Sequence, residues 1–199
     1  MALPVKPFIS TAAPPRSYEE IIARAEFPSV QLSAKLFLPD KSGRLSVVII
    51  VPGSSGVGNS ATEHAEALTS ADIAVLVVDP FGARSVTSTV ANQGQFSFAA
   101  SSYDVLAAAK YLSMLPEIDR ARIGALGYSR GGTAVIQAAV SPLANAVLGQ
   151  EFRCGPSRRP GHGAAISLNS RTPSPARYAC LWAIWICGSL PPNARHTPR

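Results

Sequence analysis

With 199 residues, 47% of them apolar and 15% charged, the chain is long enough for one domain with a sizeable buried core. No segment approaches the ~20 consecutive apolar residues of a membrane-spanning helix, so a helical membrane protein is set aside. The net charge of +6 is concentrated: residues 1–150 hold 11 Lys/Arg and 11 Asp/Glu, whereas 151–199 hold seven Arg and one acid, Glu151. Those arginines are scattered among prolines without helical or strand periodicity, so they do not read as a nucleic-acid surface. Three cysteines (Cys154, Cys180, Cys187) make neither a disulfide framework nor a zinc spacing. The N-terminus lacks a charged start followed by an apolar block, and a cytoplasmic location is the default expectation.

Residues 1–28 carry prolines without periodicity and are expected to be a poorly ordered lead-in. Residues 30–38 (VQLSAKLFL) alternate as a half-exposed strand should, and 39–43 (PDKSG) supply a turn. The β-branched run 47–51 (VVIIV) predicts a strand buried on both faces, followed by the loop PGSSGVGNS and a helix through Leu68 capped by Ser60 or Thr62. A second buried strand is expected at 73–79 (IAVLVVD) and a helix over 96–115, with Val105, Ala108, Ala109 and Leu112 on one face. A third buried strand, 123–127 (IGALG), runs into a helix over 133–140. Strands alternating with helices predict an α/β fold with a doubly wound, mostly parallel sheet over 29–149. Past Gly149 this pattern stops: 150–199 is an Arg/Pro-rich tail expected to be disordered, leaving the final strands missing and a hydrophobic sheet edge open.

At the end of the third strand stands GYSRGG, 127–132. In G-x-S-x-G a strand turns sharply into a helix with the serine at its tip, and glycines flank it because side chains there would strike neighbouring backbone. Ser129 is therefore the candidate nucleophile. The helix that follows aims its first N–H groups at a developing oxyanion, with the amide of Arg130 as first donor. The loop PGSSG, 52–56, occupies the place of the second donor, assigned to the amide of Ser54 with Ser55 next to it.

The succession AKLFLPD, VVIIVPGSSG, AVLVVDPFGARSV, a helix and RIGALGYSRGG resembles the first two-thirds of dienelactone hydrolase-like members of the α/β-hydrolase superfamily, over residues ~29–148. The resemblance implies cleavage of a small-molecule ester or lactone by a nucleophile–His–Asp triad, with neither metal nor organic cofactor. Many family members use cysteine where this chain has Ser129. A histidine usually stands where Pro52 does, a departure that leaves backbone donors intact. Arg84 matches a position that often carries a basic residue near the pocket. A substrate-carboxylate contact is one role for it, and pairing with Asp79 is another.

In this fold the order along the chain is nucleophile, acid, histidine. After Ser129 the only acid is Glu151, too early for the acid loop, and the only histidines are His162 and His196. His196 has the right order and is the candidate base, although no readable strand supports it. His64 precedes the nucleophile and reads as a surface or capping residue. The composition of the tail is explained if it is translated out of frame. Read from the third base of each codon, Trp182-Ala183-Ile184-Trp185-Ile186 gives Gly, then Asp, Asn, His or Tyr according to the alanine codon, then Leu or Met, then Asp. This is compatible with G-D-x-D, which resembles the acid-bearing loop of the family. On that reading the catalytic acid and histidine are absent from this product.

Two other function classes fit parts of the sequence. Gly53 to Ser60 (GSSGVGNS) is a degenerate version of a phosphate-binding loop, after a buried strand and before a helix, with Asp79 ending the next strand. It has Asn59 where such loops carry lysine, leaving backbone N–H groups alone to hold an anion. The other class is a non-catalytic α/β-hydrolase-like interaction protein, which the unplaced acid and histidine favour.

Overall fold

The computed structural model describes residues 2–4, 8–11, 17–26, 28–149 and 181–187. The lead-in contributes short elements rather than none: strands β1 (Ala2–Pro4) and β2 (Phe8–Thr11) and the helix α1 (Tyr18–Ile22). Ser17 starts α1 by accepting a hydrogen bond from the amide of Glu20. Both short strands find antiparallel places along β3 (Ser29–Phe37).

The wholly apolar runs become the centre of the sheet. β4 (Leu45–Val51) lies between β5 (Ala74–Asp79) and β6 (Ile118–Tyr128), parallel to both. The period-2 alternation of side chains decides which layer each one enters. Ile49 and Leu76 face a core shared with helices α3 (Phe98–Ser113) and α4 (Arg130–Ala138). Ile50, Val75 and Val77 face the opposite side and pack on Ala61, Ala65 and Leu68 of α2 (Asn59–Ser70). Two-sided burial is why these strands read as continuous hydrophobic runs.

The expected helix face of Val105, Ala108, Ala109 and Leu112 is fully buried. Ser97 caps α3 by accepting from the amide of Ala100 at 3.0 Å. Two boundaries differ from expectation. α2 begins one residue before Ser60, with Gly58 at its N-cap and no side-chain cap. β6 begins five residues early: Ile118 pairs with Leu45 and, across an irregularity in the ladder, Ile123 pairs with Val47, with Arg120 and Arg122 exposed between these two buried residues.

The sheet runs β1-β3-β5-β4-β6-β7, with β2 joined to β3. Parallel pairing, among the described residues, is limited to β5, β4 and β6. β3 joins β5 antiparallel, and β7 (Leu181–Cys187) joins β6 antiparallel after α5 (Ser141–Leu148). The edge of β6 that was expected to stand open is therefore paired, by six residues of a seven-residue strand from the Arg/Pro-rich tail. An apolar run with unmet backbone groups and an unpaired strand edge satisfy one another. The antiparallel direction does not continue the doubly wound pattern.

Candidate active site

β6 delivers the chain to the elbow and α4 carries it away. At the tip Ser129 has φ +46° and ψ −113°, a conformation that a non-glycine residue holds only when its surroundings impose it. The surroundings are the two flanking glycines. A Cβ on Gly127 would overlap the carbonyl of Gly131, and one on Gly131 would overlap the backbone of Val51 and Pro52. The reversal is thus as tight as backbone contact allows, and it leaves Ser129 exposed.

The loop after β4 lies against this tip. A Cβ placed on Gly53 would stand 3.6 Å from the Cβ of Ser129 and 3.2 Å from the carbonyl oxygen of Tyr128. Ser54, next in the chain, is fastened from outside: its carbonyl accepts from the amide of Thr89 at 2.7 Å and from the Ser88 hydroxyl at 3.0 Å. Ser55 is exposed beside it. The residues expected to supply oxyanion donors, Ser54 and Arg130, therefore belong to segments that converge on Ser129. The amide of Arg130 opens α4, where first-turn N–H groups have no partner within the helix.

The side chain of Arg130 turns inward, and the residue is only 4% exposed. Its Nη1 donates to the carbonyl and to Oε1 of Gln93, at 3.2 and 3.0 Å, and its Nη2 donates to the carbonyl of Phe96. The guanidinium lies 4.2 Å from the ring centroid of Phe98 and 5.6 Å from that of Phe96. No carboxylate pairs with it among the described residues, and its buried Nε lacks a hydrogen-bond partner. Burial lowers its pKa, against a smaller opposing influence from Tyr18. A cavity of about 10 Å³, room for about one water, lies beside it under Pro52 and Gly131, with Ser101 and Asp104 in its wall.

Arg84 behaves differently from expectation. It does not pair with Asp79. Its Nη1 and Nη2 reach the two carboxylate oxygens of Asp104 at 2.8 and 2.9 Å, and Nη1 also donates to the carbonyl of Pro80. Both side chains are almost fully buried, so this guanidinium faces a carboxylate of α3 rather than the mouth of the site. Asp79 instead accepts from the amides of Phe81 and Gly82, closing the turn after β5.

His64, the histidine among the described residues, lies on α2. Its Nδ1 is 2.7 Å from the carbonyl oxygen of Ser60 and 2.9 Å from the hydroxyl of Tyr128. Burial, with Glu63 adding to it, pushes the Tyr128 phenol up to about 12. His162, His196 and Glu151 lie outside the described residues. Among the described residues no three His, Cys, Asp or Glu side chains gather as a metal site. No single helix there is long and apolar enough to cross a membrane.

No family model and no curated protein matches the sequence. Solved structures do. The chain is similar to a dienelactone hydrolase-like promiscuous phosphotriesterase from metagenomic libraries, with 21% identity and a TM-score of 0.52 over 69% of this chain and 54% of that one. It is likewise similar to dienelactone hydrolase from Anabaena variabilis, with 21% identity and a TM-score of 0.50 over 71% of this chain and 57% of that one. The likeness shows an α/β-hydrolase fold. The chain spans little more than half the length of these relatives.

Three residues that hold Arg84 and Arg130 escaped the sequence reading. Asp104 left a usable signal, an acid within the buried stretch of α3, which demands a buried cation. Phe98 and Gln93 left none, since they sit in or beside a loop without periodicity.

Proposed function

We propose that the chain is a serine-type hydrolase of small-molecule esters or lactones, acting by acyl transfer without metal or organic cofactor. The observation that carries this reading is the strained, exposed Ser129 at φ +46°, with the loop of Gly53 and Ser54 against it. Such strain persists where a fold over-determines it, and it presents Oγ to a carbonyl from outside. Ser129 Oγ attacks the ester carbonyl, and the resulting oxyanion is held by the amides of Arg130 and Ser54, with Ser55 next in the loop. Collapse of the intermediate expels the alcohol and leaves an acyl-serine, from which water releases the acid.

The reaction needs a base to take the serine proton, and this reading assigns it to His196, which follows Ser129 in the required order. A fluorophosphonate probe tests the nucleophile: covalent labelling is expected of the protein and not of Ser129→Ala. Hydrolysis of short-chain p-nitrophenyl esters tests turnover, and equal rates for the two proteins would end the catalytic claim. A His196→Ala variant is expected to lose about 100-fold or more in turnover while still binding the ester.

A second reading is favoured by one observation. The described residues around Ser129 supply a nucleophile but no base, since His64 Nδ1 stands against Ser60 and Tyr128. A non-catalytic α/β-hydrolase-like protein would keep this geometry without turnover. Absence of both Ser129 labelling and ester hydrolysis in the folded protein would decide for it. Nucleotide binding at Gly53–Ser60 gains no support: Asp79, its prospective magnesium ligand, closes the turn at Phe81 and Gly82.

A further inference from the structure

Gln93 touches both residues whose amides are the proposed oxyanion donors. Its carboxamide lies against the Ser54 hydroxyl, with Oε1 at 3.1 Å and Nε2 at 2.9 Å. The same Oε1 accepts from Arg130 Nη1 at 3.0 Å, and the Gln93 carbonyl accepts from that nitrogen as well. One exposed side chain thus spans from the loop after β4 to the head of α4.

Both ends of the bridge are anchored. Arg130 is buried and held over Phe98, so its Nη1 is a fixed point for the carboxamide. Ser54 is pinned through its carbonyl by Thr89 and Ser88, four and five residues before Gln93. Gln93 itself opens a 3-10 turn whose cap, Asn92 Oδ1, accepts from the amide of Gly94 at 3.0 Å. Residues 88–95 therefore form a short strap, fixed to Ser54 at one end and to Arg130 at the other. A guanidinium donor also polarises the carboxamide oxygen that it shares with Ser54, which strengthens a chain of hydrogen bonds.

We propose that Gln93 is a positioning residue that sets the separation of the Ser54 loop from the head of α4. This role rests on the acyl-transfer reading above. It requires no contact with substrate and no proton transfer. An oxyanion hole works only when its donors are in place before charge develops, so a strap that holds two donor segments in register favours acylation over simple binding.

The test compares Gln93→Ala with Gln93→Glu, which keeps an acceptor for both Ser54 and Arg130. Gln93 is exposed, so both variants are expected to fold, checked by their melting curves. Hydrogen exchange of the Gly56 amide, which donates to the Gly53 carbonyl, and of the Thr89 amide, which donates to the Ser54 carbonyl, should rise about 10-fold or more in Gln93→Ala and stay within about 3-fold in Gln93→Glu. The maximal rate of fluorophosphonate labelling at Ser129 should fall about 10-fold or more in Gln93→Ala, with little change in the probe's binding constant, and fall less in Gln93→Glu, whose carboxylate keeps the bridge but offsets the Arg130 charge. Unchanged exchange in Gln93→Ala would overturn the proposal, and so would raised exchange with an unchanged labelling rate. A wild-type protein that exchanges as expected but never labels would refute the hydrolase reading, while exchange in Gln93→Ala still decides whether the strap exists.

Discussion

Two arginines approach Phe96, and both are almost removed from water, yet they solve the burial of charge in different ways. Arg84 meets a carboxylate, Asp104, in a two-point ion pair. Arg130 meets carbonyl oxygens, the Gln93 carboxamide and aromatic rings, and its Nε is left over. The first arrangement cancels its charge locally. The second keeps a positive charge at the head of α4, where the helix dipole already favours an anion. Equal burial therefore marks a structural group in one place and a group coupled to the site in the other.

The largest effect expected from this contrast is at Asp104. Asp104→Ala would strand the Arg84 guanidinium in the interior, at a cost of about 3–5 kcal/mol in chemical denaturation. Replacing both partners, Arg84→Met with Asp104→Leu, should restore stability to within about 2 kcal/mol of the parent, because neither charge is then buried alone. A double variant as unstable as Asp104→Ala would show that the pair does more than cancel charge.

Arg130→Met should cost less stability, about 1–2 kcal/mol, because it removes an unpaired cation along with its hydrogen bonds. Its effect belongs in the site: labelling of Ser129 by a fluorophosphonate should slow about 10-fold or more, whereas Arg84→Met with Asp104→Leu should label almost as fast as the parent. Equal labelling in both would erase the distinction between the arginines.

The smallest effect concerns Tyr128, the residue before the nucleophile. Its phenol is pushed up to about 12 by burial and by Glu63. The neutral form is thus the one the fold favours. That contribution to stability is complete below the unfolded pKa near 10 and is lost as pH rises toward 12. Burial also raises Tyr103 and Tyr111, so absorbance titration of the folded protein should show several late tyrosines, and Tyr128→Phe should remove the component near 12 and be less sensitive to alkaline pH. An unshifted titration would mean that the phenol is better hydrated than its packing against His64 implies.

The elbow was legible because its signal is local. GYSRGG follows a buried strand, and the steric demand for Gly127 and Gly131 is met by backbone within a few residues or by the adjacent strand. The central strands were legible for a related reason: two-sided burial makes 47–51 and 74–79 almost uniformly apolar. The tail was not. An apolar run among prolines and arginines has no period that announces a strand, and only the free edge of β6 gave 181–187 a partner.

Partner choice was the other thing periodicity could not reveal. Arg84 stands five residues from Asp79 in the chain and twenty from Asp104, and nearness in sequence pointed to the wrong acid. Once the turn after β5 had engaged Asp79 with the amides of Phe81 and Gly82, the α3 carboxylate was the one positioned to receive a buried guanidinium. Gln93 spans 39 residues to Ser54 and 37 to Arg130. Local sterics write strands, helices and the strained serine into short stretches of sequence. Which polar groups end up together in low dielectric is settled only when distant segments pack, because the cost of leaving them unpaired arises only on burial.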